Sequence, residues 1–568
     1  MAKKEINLLE DIQKGISPSY MGNFSKVYDL DIDSIPGVVS AKQQLTSYPA
    51  NFTSYLDSMV AIGVTAGDDT INFNDLGTNV VANLFEGQAV TFTTTDTLPD
   101  PLAVDTIYYI TNINYTLTRV QVATTIQNAI DGTQIDLTDQ GTGTHTLVPN
   151  YMKEIKYYVT HDNYGEYALD KDNVVWYKTT SDNWTVIGGN ESGAGYGLNI
   201  WKGYLFVMRA AEMNVYGPLS AVGDTAAWTN TGFAITSSTN HPSLVAQDFD
   251  LYIGCGKDLA YITEDTTFDP ANTDTFTLGT SVLNTDLPND ILFLEELSDR
   301  MLIGTEKIIY PWDEISPLWD APIILNEKTR SMKVYNNLLY FIDYDNIIWA
   351  TNGSGVAMQG KLPQSDYDDK LELTDRIGIN DSKLYFGAYS QDETQTESSG
   401  VYSFNPNDGV ILKEFSSQSG ETANVRVDCY DEGVYTFYEP ALGTAYEASI
   451  QEDNETVGRY ATTFFETGLY QVGTKRKPTN LSQFEIVLTE ELSTALGITI
   501  KYRYNLSDSW TTLGNSDDQF SFTNDGATYS KVVDDSEITT DQIQFRVELT
   551  SRGTGFDTTP KLKAIYVR

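Results

Sequence analysis

The sequence predicts an all-β protein: a β-propeller of about seven blades with an inserted small β domain and a C-terminal β-sandwich or jelly roll. Three observations carry that expectation. Aromatic residues reach 12% while charged residues are only 20%, and Thr, Asn, Asp and Gly fill the spaces between short apolar runs. This is the vocabulary of strands and tight turns. A phrase of turn, apolar strand, turn and apolar-aromatic strand recurs through the middle of the chain, and short alternating runs return at regular spacing near its end.

Residues 1–62 read as an N-terminal arm with the first propeller strands. YMGNFSKVYDLDIDSIPGVVSAKQQL alternates like a strand on either side of a Pro36-Gly37 turn. Ahead of it, Ile6, Leu9, Ile12 and Ile16 have the spacing of a short amphipathic helix. Residues 63–149 differ in texture, being Thr-rich and poor in Trp and Lys. The strands expected there are GDDTINFN, QAVTFTTT, TIYYITNIN, TRVQVATT and GTHTLV, with turns at Leu98-Pro99, Asp131-Gly132 and Gly141-Thr142-Gly143-Thr144. They make a small β module of their own.

Residues 150–454 carry the repeat. HDNYGEYALDKDNVVWYKT, WKGYLFVMRAAEMNVYG, DFDLYIGCGKDLAYIT, SDRMLIGTEKIIYPWD, YNNLLYFIDYDNIIWAT, NDSKLYFGAYSQ with GVYSFN, and YDEGVYTFYEPALGTAYEAS line up. Their separation, mostly about 35–50 residues, is that of propeller blades. A lone small antiparallel sheet cannot bury both faces, and radial stacking buries them while leaving short edges. Seven units are counted, although six or eight would satisfy the same spacing. A strand from the N-terminal arm is expected to close the last. Residues 455–568 then give FEIVL, GITIKYRYNL, SWTTLG, DQFSFTN, IQFRVELTS and LKAIYVR, the pattern of a sandwich.

One phrase is used twice: SDNWTVIG at 181–188 and SDSWTTLG at 507–514. In both, a strand runs into Ser-Asp, and Trp-Thr opens the return strand. The Asp is expected to cap the turn and the Trp to pack across the hairpin. The phrase differs from the sialidase Asp box in lacking its Gly and in its spacing, and reads as architecture.

The chain holds 36 Lys and Arg against 79 Asp and Glu, a formal charge of −43. Such a balance favours solubility and argues against a nucleic-acid-binding surface, which needs basic clusters. The one tight basic run, Lys475-Arg476-Lys477, reads as a strand end. No secretory signal opens the sequence, and no apolar run approaches the ~18 residues of a membrane span. Synthesis in a cytoplasm without membrane insertion is expected. Cys255 and Cys429 fall in strand-like runs and read as buried free thiols.

No catalytic, cofactor-binding or metal-binding residue is assigned. His145, His161 and His241 lie in separate segments without a metal-ligand spacing. There is no nucleophile elbow, and Asn352-Gly353-Ser354-Gly355 reads as a turn. Asp29, Asp31 and Asp33 resemble the start of a calcium loop, but Ser34 and Ser40 stand where Gly and Glu are required. These aspartates, like QSDYDDK at 364–370, read as a solvated face, with a cation site as the alternative. A glycosidase would need two carboxylates about 5–10 Å apart, and the sequence does not single out a pair.

Three stretches resemble virion structural proteins of tailed bacteriophages. NFSKVYDLDIDSIPGVVSAKQQL resembles the opening of phage structural proteins expected to be propellers. GQAVTFTTTDTLPDPLAVDTIYYITNIN with DLTDQGTGTHTL is similar to a small β module of phage tail and fibre proteins; this chain has Ile110 where that module often has Val, and Asp100-Pro101 where it often has Ala-Gly. The C-terminal TGLYQVGTKRKPTNLSQFEIVL through TTPKLKAIYVR resembles the terminal jelly roll of phage tail proteins. The resemblance implies a non-enzymatic nozzle-, hub- or adaptor-like tail protein, located in the virion and assembled as a ring of copies with other tail or neck proteins, in contact with a host surface glycan or receptor. It also implies an acidic wall along a DNA ejection channel. A carbohydrate- or receptor-binding adhesin is the alternative, and a propeller glycosidase the second alternative.

Overall fold

The computed structural model describes residues 59–567, apart from inter-strand segments of which 74–83, 263–277, 439–448 and 514–527 are among the longest, and five short strands before residue 59. The chain is all-β. One short helix, Ile126–Ile130, is the exception among the described residues.

The centre is a β-propeller of seven antiparallel blades. Their first strands are Ile155–His161, Gly195–Trp201, Ser243–Ala246, Phe293–Leu297, Thr329–Tyr335, Gly378–Asn380 and Val425–Tyr430. The first strands lie beside one another from the first blade to the fifth and from the sixth to the seventh, the fifth and sixth blades share an apolar cluster, and the first strand of the seventh blade lies beside that of the first, so the ring closes on itself. In the second and fifth blades the turn after this strand uses a pair of positive-φ residues, Lys202-Gly203 and Asn336-Asn337. That geometry matches the right-handed twist of the flanking strands. Apolar clusters fill the gaps between blades. Leu205 and Val207 of the second blade meet Tyr167 and Leu169 of the first, and Met301 and Ile303 of the fourth meet Leu259 of the third.

The small β module is a closed six-stranded barrel, from Met59–Thr65 to His145–Pro149. Its first strand thus begins four residues ahead of the boundary expected at 63. Ile71, Val90, Phe92, Ile110, Val120 and Leu147 form its own core. A second cluster fastens it to the first blade, with Ala89, Tyr109 and Ile126 against Ala168, Trp176 and Trp184.

The N-terminal arm is woven into three sheets. Ile6–Asn7 pairs with the C-terminal strand Leu562–Val567, Ile6 opposite Val567. The helix expected from Ile6 is therefore not formed there, because an open edge strand accepts the chain; the other positions of that pattern lie outside the described residues. Phe24–Tyr28 runs antiparallel to Thr462–Thr467 and parallel to Val410–Ser416. Leu45–Ser47 is the outermost strand of the seventh blade, antiparallel to Ser449–Asp453. Between these, Leu30–Asp31 and Ser40–Ala41 pair across the Pro36-Gly37 segment.

The C-terminal sandwich has one sheet of Ile6–Asn7, Leu562–Val567, Gln483–Leu488 and Thr528–Val532. Its second sheet, built on Thr462–Thr467, Gln542–Thr550 and Gly497–Arg503, is continuous with the sixth blade through Phe24–Tyr28. One apolar core follows that continuity, from Tyr340 and Phe386 of the blades to Phe545 and Ile565 of the sandwich.

Candidate functional site

The recurring hairpins supply most of the polar order. In Asp170-Lys-Asp-Asn-Val-Val-Trp176, the Asp170 carboxylate accepts from the Val174 amide and the Trp176 indole N–H, both at 2.9 Å. In Asp343-Tyr-Asp-Asn-Ile-Ile-Trp349, Asp343 accepts from the amides of Asp345 and Ile347 at 2.9 Å and from the Trp349 indole at 2.8 Å. Asn173 and Asn346 hold the left-handed turn position, with φ of 68° and 60°. Both aspartates are buried, so they serve the turn and are closed to ligands.

The twice-used Ser-Asp phrase also proves to be hairpin architecture where it is described. Asp508 accepts from the backbone and side-chain nitrogens of Asn505 at 3.0 and 2.9 Å, and the Arg503 guanidinium lies 4.4 Å over the Trp510 ring. In the first blade Trp184 is buried against Tyr158 and the barrel, while the turn before it, 179–183, lies outside the described residues.

The barrel's GTGTH run closes a loop pair. Thr97 and Thr142 exchange backbone bonds, Thr142 Oγ1 donates to Asp96 at 2.7 Å, and Asp139 accepts from the amides of Asp100 and Gly141 at 2.9 Å. Those amides hold the Asp139 carboxyl below the usual carboxylate range. A Cβ on Gly141 would lie 2.5 Å from the Thr97 carbonyl oxygen, which is why Gly stands there.

The three histidines are not brought together at a shared partner. His145 bonds Thr94 Oγ1 and the Gln140 carbonyl, and His161 accepts from the Asn163 amide. His241 is fully buried, its Nδ1 2.9 Å from the Gly254 carbonyl oxygen and its Nε2 3.2 Å from that of Ala210. Asn352-Gly353-Ser354 is a turn in which Asn352 Oδ1 accepts from the Ser354 amide. Lys475 and Arg476 are exposed on a turn. Cys255 is a buried free thiol pushed up to about 12 by burial. The side chains of Asp29, Asp31, Asp33, Cys429 and Lys477 and the segment 364–370 lie outside the described residues.

A cavity of about 260 Å³ lies at the propeller axis, walled by the first strands of five blades or by the residues leading into them. Tyr157, Leu198, Ser243, Glu295 and Met332 each come from a different blade. Asn240 and His241 enter it on the segment leading into the third blade, whose approach Gly197 permits: a Cβ there would sit 2.3 Å from the His241 carbonyl oxygen. Asn240 Nδ2 is turned toward the carbonyls of Ile291 and Leu292, at 3.3 and 3.4 Å. Ser243 Oγ accepts from Asn199 at 3.2 Å. Glu295 is the one carboxylate of the lining, and no Lys or Arg of the described residues lines it. Its carboxyl is raised above the ordinary value by desolvation, a tendency opposed by Lys333 and the Val334 amide.

The lining holds one serine, one histidine and one carboxylate. The His241 ring nitrogens face the backbone carbonyls of Gly254 and Ala210 rather than Ser243. A single carboxylate is not the pair that glycoside hydrolysis uses. Among the described residues no group of three His, Cys, Asp or Glu could hold a metal ion.

The chain's acidity is not concentrated on the first strands. Within them, Lys156, Arg330, Lys333 and Arg426 stand against Glu295, Glu296, Glu372 and Asp428, when the split first strand of the sixth blade is counted with Leu371–Leu373. The acidic excess lies on the rest of the chain.

No protein-family model matches the sequence, and no curated protein does. Among solved structures, the chain is similar to a computationally designed protein, Ika8, at 10% identity and a TM-score of 0.33, over 56% of this chain and 94% of that one. It is similar to KlHsv2 with a loop replaced by a Gly-Ser linker, at 8% identity and a TM-score of 0.32, over 57% and 95%. It is also similar to BBS1N in complex with ARL6DN, at 11% identity and a TM-score of 0.35, over 52% and 89%. These likenesses carry no information about function.

Proposed function

We propose that this chain is a non-enzymatic structural component of a tailed-phage virion, a tail part that assembles with copies of itself as a ring. The observation that carries the reading is the path of the N-terminal arm. Its strands join the C-terminal sandwich, the sheet shared with the sixth blade, and the seventh blade. Ends that lie far apart in sequence are thereby locked by main-chain hydrogen bonds into one body, which suits a part that transmits force. The barrel, fixed to the first blade by its own apolar cluster, is the element that would face neighbours or a host surface.

Any DNA path in such a ring runs between copies rather than through the propeller axis. The balanced charge of the first strands leaves the acidic surface outside that axis, where it would repel DNA phosphates.

The test uses virions purified from the source and an antibody against the chain. Decoration at one end of the tail, together with rings of the purified protein in negative stain, is the expected result. Absence of the chain from purified particles would overturn the reading.

A further inference from the structure

We propose that the axial cavity binds a small organic ammonium ion, its NH₃⁺ group on Glu295 and its hydrocarbon part on the apolar wall. Four observations point there. The cavity, about 260 Å³, lies just below the usual ~300–1,000 Å³ of small-molecule sites. Its polar lining is rich in acceptors: the Glu295 carboxylate, the Asn240 side-chain oxygen and the Ser243 hydroxyl. Asn240 directs its nitrogen away, at the Ile291 and Leu292 carbonyls, which leaves its oxygen as the group to offer. No Lys or Arg of the described residues lines the cavity itself, and Lys333, whose charge acts on Glu295, lies outside the lining.

The rest of the wall selects the kind of cation. Leu198, Pro242, Phe293, Leu294 and Met332 are apolar. Among the described residues no group of three His, Cys, Asp or Glu gathers to hold a divalent metal ion. An alkylammonium satisfies both halves: its head forms a charge-assisted hydrogen bond with the carboxylate, and its chain covers apolar surface. Aromatic residues at the wall, Tyr157 and Phe293, add to the preference for a cation over a neutral guest.

The test is calorimetric titration of the full chain with n-butylammonium chloride at neutral pH. A dissociation constant of order 1 mM is expected, in keeping with so few atoms. Glu295→Gln should weaken it by about 10- to 100-fold, the worth of one hydrogen bond to a charged group. Glu295→Asp, which keeps the charge, should retain binding, and both variants should show the wild-type far-UV spectrum. 1-Pentanol should bind more weakly than the ammonium, and magnesium chloride should not displace it. Equal binding by wild type and Glu295→Gln, displacement by magnesium, or no heat up to ~10 mM would each overturn the proposal.

Discussion

The phenol of Tyr109 donates a 3.0 Å hydrogen bond to the carbonyl oxygen of Val186, tying the barrel to the outer strand of the first blade. Both residues are buried, so the bond has no water to replace it. Tyr109→Phe removes the donor and leaves a buried carbonyl with one partner fewer. The expected loss is about 1–2 kcal/mol. Because the barrel has a separate core, the variant should loosen the mount without unfolding the barrel. Hydrogen exchange should rise at 184–187 and in the helix Ile126–Ile130, while the barrel strands Ala89–Thr94 and Arg119–Ala123 stay protected.

Asp343 holds three N–H donors of its own hairpin, from Asp345, Ile347 and Trp349. Asp343→Ala removes the acceptor of all three in a part-buried turn. A loss of at least about 4.5 kcal/mol is expected, since each of the three charge-assisted bonds contributes roughly 1.5–3 kcal/mol. Asp343→Asn keeps an acceptor and should lose about half as much. Urea denaturation of the three proteins, followed by tryptophan fluorescence, measures the order; equal stability of the Ala and Asn variants would show that the carboxylate's acceptor role is not what matters.

These two hairpins also show what the sequence disclosed. The phrases containing Asp170 to Trp176 and Asp343 to Trp349 align by eye, and period and turn residues alone specify antiparallel blades. The leading Asp does not stand out in the sequence, because the letters of the Ser-Asp-x-Trp phrase match more closely. That phrase sits at the return of an outer hairpin, where only Asp508 is seen to cap. The arm was harder. Ile6 has helical spacing with Leu9, yet it pairs as a strand, since the edge of Leu562–Val567 is supplied by residues more than 500 positions away. The axial cavity left no motif at all. Its lining comes from five blades, one to four residues from each, so only the stacking of one blade on the next brings Glu295 and Asn240 to one wall.

Glycine in the barrel offers a paired comparison. Gly141 has φ +64° and its missing Cβ would fall 2.5 Å from a backbone oxygen and 2.7 Å from the Pro99 nitrogen. Neither atom can swing aside as a side chain would. Gly141→Ala should therefore cost about 2–4 kcal/mol, from left-handed strain and from prying open the Thr97–Thr142 bridge. Gly67 has nothing within 4 Å and no positive φ, and Gly67→Ala should change stability by less than ~0.5 kcal/mol. Thermal unfolding of both variants against the parent reads the contrast.

Cys255 lies in the third blade with no exposed surface, and burial pushes its thiol up to about 12. The thiolate is the reactive form, so at pH 8 only about one part in 10⁴ would be competent even if reagent could reach it. Iodoacetamide should leave the Cys255 peptide unmodified in the native protein and label it fully in urea. Peptide mass mapping distinguishes this residue from Cys429. Rapid native labelling at Cys255 would mean that the third blade opens on the timescale of the reaction.

Glu295 gives stability a defined pH dependence. Desolvation raises its carboxyl above the ordinary value of 4.5, with Lys333 and the Val334 amide opposing. The folded protein therefore holds this proton more tightly than the unfolded chain does. Relative to a side chain that never ionises, the folded state keeps its full stability below pH 4.5 and loses some as pH rises through the raised value. Glu295→Gln is that reference. The two proteins should have matching urea midpoints in acid, and the Gln variant should become the more stable one toward neutral pH, with other titrating groups cancelling in the difference. n-Butylammonium should narrow the gap at neutral pH by binding the ionised carboxylate of the parent. A difference that stays constant from acid to neutral pH would show that the Glu295 carboxyl is not desolvated at the propeller axis.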